Sequence, residues 1–321
     1  MNPVQFKLSA KTNIGCVRTN NEDNFIVNPD LSDDLWILPQ SQDTIYTLGR
    51  KGALLVVADG MGGLDAGEIA SQIAIDTLKE YFSSDKITDE IVKDESSIRK
   101  YLREVIIASD VNIKKRCKEE QNIKTMGTTI VVSWLLNGYA YISWCGDSRL
   151  YHFNSLSGLV QLTTDHSYVQ ELVDAGKLSP ELAFDHPDSN IITRSLGNPA
   201  KAADPDFMRI ELQNNSFLLL CTDGLNSMLQ DFEIDAIMQQ NTEQIGECVD
   251  ALIMEALEKG GHDNVTIVLS KLIGEDEPEE EDGESMTTIY EKHKRGKISK
   301  IVLSVLFIIM LLALIYWLFF K

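Results

Sequence analysis

No C-x-x-C pair occurs among the five cysteines, Cys16, Cys117, Cys145, Cys221 and Cys248. Their scatter fits neither a disulfide scaffold nor a zinc knuckle and points to a reducing compartment. Positive charge is scarce: 29 Lys and Arg stand against 49 Asp and Glu, a formal net charge of −20. Phosphate backbones are held by Lys and Arg, so the balance argues against nucleic acid as a partner. It suits a protein that gathers metal cations. There is no G-x-S-x-G elbow, no cysteine in a phosphate loop and no internal repeat, so no ready covalent nucleophile is on offer. The opening Met1-Asn2-Pro3-Val4-Gln5-Phe6-Lys7 lacks the charged-then-apolar pattern of a signal peptide. What the chain does have is apolar material. At 44% hydrophobic, with 11 Phe, 9 Tyr and 4 Trp, it can bury a sizeable core. Its 321 residues fit one large domain with an appendage.

The boundary between the two lies near residue 274. Eight of the ten residues from Glu275 to Glu284 are acidic, and such a run cannot collapse into a core. Lys292, Lys294, Arg295, Lys297 and Lys300 follow, and then Ile301 to Phe320 runs for twenty residues without a charge. At ~1.5 Å per residue that run makes a helix about 30 Å long, the thickness of a bilayer's hydrocarbon layer. A buried core helix is the other reading of an apolar run, but one of this length behind a charged linker predicts a transmembrane helix. The expected division is a folded domain over 1–274, an acidic then basic linker over 275–300 and a membrane helix over 301–320. Five basic residues before the span against Lys321 after it predict a single-pass protein with its domain in the cytoplasm.

Within 1–274, Ala53 to Ala58, Phe217 to Cys221 and Val265 to Leu269 read as buried strands. Ile130 to Leu136 and Tyr139 to Cys145 flank Asn137-Gly138, a hairpin signal because both turn positions need φ > 0. Helical spacing runs from Ala66 to Tyr81 or Phe82, again around Ile98 to Ile113, and is expected at Asp231 to Gln239 and Thr242 to Glu258. Consecutive strands with helices arriving in pairs predict α+β architecture with antiparallel sheets covered by helices.

The chemistry shows where strands end. Val56-Val57-Ala58-Asp59-Gly60, Leu219-Leu220-Cys221-Thr222-Asp223-Gly224 and Trp144-Cys145-Gly146-Asp147-Ser148 each place an aspartate after an apolar strand, and His262-Asp263-Asn264 precedes one. One such aspartate is ordinary turn chemistry. Several converging on one rim would repel one another unless a cation sat between them, and oxygen ligands select hard ions such as Mg²⁺ or Mn²⁺.

The ordered set Arg18-Thr19-Asn20-Asn21-Glu22-Asp23-Asn24-Phe25, Asp59-Gly60-Met61-Gly62-Gly63, Met126-Gly127-Thr128-Thr129, Gly146-Asp147-Ser148-Arg149, Asp165-His166-Ser167, Thr222-Asp223-Gly224 and Gly261-His262-Asp263-Asn264 resembles the type-2C metal-dependent Ser/Thr protein phosphatases, the PPM family. The match runs from about residue 5 to residue 272, and Met61, where many eukaryotic members have His, makes it similar to the bacterial branch. The resemblance implies two antiparallel β-sheets packed as a sandwich with helices on both outer faces. It also implies hydrolysis of phosphoserine and phosphothreonine on proteins by water activated between two Mn²⁺ or Mg²⁺ ions. By motif, Asp59 would bridge the ions, Asp223 and Asp263 would complete the first, and Glu22 with the Gly60 carbonyl would serve the second. Asp147 would hold a third, weaker ion. Arg18 would grip the substrate phosphate, which its planar fork suits.

Two positions depart from the family pattern. Met61 replaces a histidine proposed as general acid, and a thioether donates no proton. Ser227 stands where many members carry a further aspartate for the third ion. Asp23 is expected to be structural, Arg149 to make an internal ion pair, and His166 to be a satisfied structural histidine. His262 reads either as support for Asp263 or as a turn residue, and Asp65 and Glu68 suit a helix N-terminus. Ser167 to Asn190 corresponds to the bacterial flap, and residues 29–52 form an insertion with no readable chemistry. Two rivals stand beside the phosphatase reading: a catalytically silent, membrane-tethered binding module, and a phosphohydrolase of small phosphoesters. The first should have lost a core carboxylate, and none is missing.

Overall fold

Gln5–Asn13 opens the fold as β1 in a computed structural model that describes residues 4–36, 44–63, 66–120 and 125–274. After it come β2 (Asn24–Asn28), β3 (Ile45–Thr47), β4 (Ala53–Ala58) and β5 (Gly60–Gly62), then the helices α1 (Ala66–Tyr81) and α2 (Glu95–Glu119). β6 (Met126–Thr128), β7 (Ile130–Leu136), β8 (Tyr139–Cys145), β9 (Arg149–Asn154) and β10 (Gly158–Gln161) follow, and then α3 (Tyr168–Asp174). The domain closes with β11 (Asp206–Glu211), β12 (Phe217–Cys221), α4 (Asp223–Asn226), α5 (Asp231–Gln240), α6 (Ile245–Glu258) and β13 (Val265–Ile273).

The strands form a six-stranded sheet, β10-β9-β12-β13-β1-β3, a five-stranded sheet, β11-β8-β7-β4-β2, and a ribbon of β5 and β6. Each strand pair among the described residues is antiparallel. β12 and β13 face β4 across the sandwich. Along β4, Leu54, Val56 and Ala58 pack with Ala70, Ala74 and Leu78 of α1. Period-two alternation then turns Leu55 and Val57 toward the opposite sheet, and all five are fully buried. On the far face, Leu252, Ile253 and Ala256 of α6 pack on Leu219, Ile267 and Leu269. The result is the expected α+β sandwich with helices on both outer faces.

The hairpin forms as the sequence predicts, with Asn137 at φ 53° and Gly138 at φ 81°. α2 begins at an Asp94 cap whose carboxylate accepts from the Ser97 amide at 2.7 Å. Two expectations need adjustment. The helix expected from Thr242 starts at Ile245. The insertion over 29–52 supplies β3, an edge strand paired with β1 through Phe6↔Tyr46. Among the described residues no helix is long and apolar enough to cross a membrane. The linker over 275–300 and the apolar run over 301–320 lie outside the described residues, as does Asp65.

Candidate metal and phosphate site

Asp59 leaves β4 as its backbone is clamped from the β6–β7 segment. Its amide donates to Thr129 Oγ1 at 3.1 Å, while its carbonyl accepts from Thr128 Oγ1 at 2.8 Å and from the Thr129 amide at 2.9 Å. Thr129 in turn shares a 2.6 Å hydrogen bond with Ser148, next to Asp147. The Met126-Gly127-Thr128-Thr129 motif therefore fixes two of the candidate carboxylates. The sequence alone gives that motif no role; its signal is two adjacent hydroxyls beginning a buried strand.

A second clamp is Asn264. Its side-chain oxygen accepts from the Glu22 amide at 2.8 Å, and its nitrogen donates to the carbonyls of Ile14 and Asn20 at 2.9 and 3.0 Å. It thus ties the loop carrying Arg18 and Glu22 to the turn carrying Asp263. The Glu22 carbonyl accepts from the Gly60 amide at 3.2 Å and from Ser71 Oγ at 2.7 Å. Above α1 the space is tight: a Cβ on Gly67 would stand 2.6 Å from the Glu22 carboxyl carbon. Only a glycine lets that carboxylate settle on the first turn of the helix. Asp23 accepts from Thr222 Oγ1 at 2.7 Å, and the Thr222 hydroxyl accepts from the Thr266 amide at 2.9 Å, so Asp23 braces the strand that delivers Asp223.

The carboxylates meet at one rim of the sandwich. Asp59 and Asp223 lie close enough for the charge of one to act on the other. Burial, and next the charge of Asp223, holds the Asp59 and Asp147 carboxyls well above the ordinary carboxylate range. Burial and the neighbouring Asp263 push Asp223 up to about 6, and burial pushes Asp23 up to about 7. Groups so placed either bind protons or share a cation. Asp263 sits at the more open side, where Arg18 donates to its Oδ2 at 2.6 Å, a bond that raises the guanidinium pKa further.

The donor set is all oxygen, as hard divalent ions require. Asp147 Oδ1 and Asp223 Oδ1 are buried with no hydrogen-bond partner, an arrangement whose desolvation cost a cation would offset. The carboxylates converge without closing: among the described residues no three His, Cys, Asp or Glu side chains gather tightly enough to enclose an ion. Arg18 holds Asp263 on the open side of the group.

Other residues fall away from the chemistry. Arg149 is bound by Asp165 at 2.7 and 2.9 Å and donates to Tyr151 Oη at 2.8 Å, an internal ion pair as expected. His166 is buried against Trp144, and its Nδ1 accepts from the Gly146 amide at 3.1 Å. His262 is exposed and, with Ser227, lines a cleft of about 690 Å³ that Asp147, Asp223 and Asp263 also line.

A family model described as Protein phosphatase 2C matches residues 40–259. Over 216 residues the chain is 36% identical to the serine/threonine phosphatase stp of Listeria monocytogenes, covering 67% of this chain and 83% of that protein. The solved structure of the S. agalactiae serine/threonine phosphatase superposes with a TM-score of 0.70 at 30% identity, covering 83% of this chain and 98% of the other. The catalytic domain of the serine/threonine protein phosphatase PstP, in complex with two manganese ions, gives 0.66 at 28% identity, covering 84% and 100%.

Proposed function

The chain belongs to the protein phosphatase 2C family of metal-dependent serine/threonine protein phosphatases, and on that premise we propose that Glu22, Asp59, Gly60, Asp147, Asp223 and Asp263 hold the divalent cations with which it hydrolyses phosphoserine and phosphothreonine on proteins. The observation that carries this reading is the convergence of Asp59, Asp147 and Asp223, each driven toward protons or cations by burial and mutual repulsion. Two ions, Mn²⁺ or Mg²⁺, are proposed, with a third and weaker one at Asp147; two manganese ions are what the PstP relative carries. Bound there, the ions would make water a nucleophile near neutral pH and neutralise phosphoryl charge. Asp59 would touch two of them, with Asp223 and Asp263 on one and Glu22 with the Gly60 carbonyl on the other.

Arg18 spends one nitrogen on Asp263, and its fork keeps further N–H donors for phosphate oxygens. Met61 has no proton to give, so if the leaving serine or threonine oxygen is protonated by a general acid, water held at the metal site would supply the proton. The membrane belongs to the proposal as well: residues 301–320 anchor the chain, and the basic residues before them keep the domain at the cytoplasmic face. The test is phosphate release by the full chain in detergent with Mn²⁺, from a phosphothreonine peptide and from p-nitrophenyl phosphate. A higher kcat/KM on the peptide is expected. A preference for the small ester, or no release from the peptide, contradicts the reading.

A further inference from the structure

The cleft beside the carboxylates is larger than a phosphate ester needs. Its volume, about 690 Å³, lies within the ~300–1,000 Å³ of ordinary ligand pockets. Its lining joins Asp147, Asp223 and Asp263 to residues of the segment around α3 and of the α4–α5 corner, and includes neither Arg18 nor Asp59. One wall is apolar on both sides: Val173 and Phe184 face it from the α3 segment, Met228 and Phe232 from the corner. Phe232, in the first turn of α5, leaves 67% of its surface in water. Acidic Glu181 and Asp231 also line it, and the one arginine there, Arg149, is shared between Asp165 at 2.7 Å and Asp231 at 3.5 Å.

We propose that this cleft reads the residues flanking the phosphorylated side chain, taking a large apolar neighbour against Phe232 and Met228 and favouring basic over acidic residues beyond it; this rests on the phosphatase reading above. A small phosphoester would leave the apolar wall wet. A peptide that lays an apolar side chain on Phe232 removes that surface from water, which stabilises binding by about 25 cal/mol per Å² covered. Charge complementarity sets the second preference. Bound ions would neutralise Asp147, Asp223 and Asp263, while Glu181, Asp165 and Asp231 stand against the single arginine of the lining, Arg149, so the wall stays net acidic and offers no spare arginine or lysine to an acidic neighbour.

The test uses the full chain in detergent with Mn²⁺ and phosphothreonine peptides that differ only beside the phosphothreonine. Phe or Gly is placed on either side, and Arg or Glu one position further out. On one side, Phe should raise kcat/KM about tenfold over Gly, chiefly through KM. Arg should exceed Glu several-fold, by a margin that shrinks in high salt. In Phe232→Ala the Phe-to-Gly ratio should fall to about one. Equal turnover of all the peptides by wild type overturns the cleft's role and leaves the phosphatase reading standing. A ratio that survives in folded Phe232→Ala overturns it too. Absence of turnover on every peptide removes the phosphatase reading, and this inference with it.

Discussion

Arg18 and Asp263 meet at 2.6 Å from positions 245 residues apart, and their pairing separates two jobs that a mutation can pull apart. Arg18→Ala removes a phosphate grip without removing a cation ligand. kcat/KM should fall about 10–100-fold, ~1.4–2.8 kcal/mol of transition-state stabilisation. Asp263 is freed by the same change, so Mn²⁺ affinity measured by calorimetry should hold or rise. A variant that has lost its ions would show that the guanidinium serves the metal instead. At this scale much was legible. Asp59, Asp147 and Asp223 announced themselves by following apolar strands, and Asp263 by preceding one. What the sequence could not display was mutual distance: nothing local ties Thr222 to Asp23, or Asn264 to Ile14 and Glu22, because those bonds exist only once the sheets have formed.

Elements differ in how much of themselves they write into the sequence. β7 and β8 carry long apolar runs around Asn137-Gly138 and were readable to the residue. β3 is three residues long, and β5 is Gly60–Gly62, with no side-chain alternation to betray it; both exist because a neighbour offers hydrogen bonds. α1 gives an element-scale prediction. Gly67→Ala puts a Cβ 2.6 Å from the Glu22 carboxyl carbon and 2.7 Å from the Gly60 backbone carbon, so it should shift both candidate ligands and lower turnover about 10–100-fold, as losing support for a metal ligand commonly does. Added Mn²⁺ should partly restore it; wild-type rates at limiting Mn²⁺ would refute the contact.

β9 carries another prediction. His152 is 1% exposed, neither ring nitrogen has a partner, and burial lowers its pKa to about 4. The unfolded chain binds a proton near pH 6.5 and the folded one does not, so stability falls as pH drops through that window. By pH 4 the cost approaches ~3 kcal/mol at ~1.36 kcal/mol per pKa unit. The raised carboxylates slope the other way without ions, since they favour the folded state as they protonate. Wild type and His152→Leu should therefore be compared by denaturant unfolding at pH 7 and pH 4.5, where their difference cancels that background. The variant should gain on wild type by 1–3 kcal/mol at the lower pH, an order-of-magnitude figure. Parallel pH dependence would mean that the ring is solvated.

For the whole molecule, the order of strands and paired helices already favoured antiparallel over parallel sheets, and the motif resemblance supplied the sandwich. The net charge of −20 arises partly from the acidic run after residue 274; under the anchoring proposed above, that run would be repelled by an anionic membrane surface. Every candidate ligand lies at or before Asp263. Deleting residues 286–321 should therefore move the protein from the carbonate-resistant membrane fraction to the soluble one with nearly unchanged turnover on a peptide. Turnover of membrane-bound phosphoproteins should drop, because tethering raises effective concentration. A full chain that washes off in alkaline carbonate contradicts the anchor and leaves the catalytic site untouched.

Everything in the catalytic account rests on carboxylates at one rim of a sandwich sharing cations. The most direct measurement is a Mn²⁺ titration of chelated wild type and Asp59→Asn, with bound metal and phosphothreonine-peptide turnover followed in the same samples. Wild type should be silent without metal and regain turnover as ions bind. Asp59→Asn should keep its fold by circular dichroism, bind Mn²⁺ far more weakly and lose nearly all turnover, since the lost charge would serve two ions at once. Full activity in chelator, or wild-type turnover in Asp59→Asn, would contradict the account.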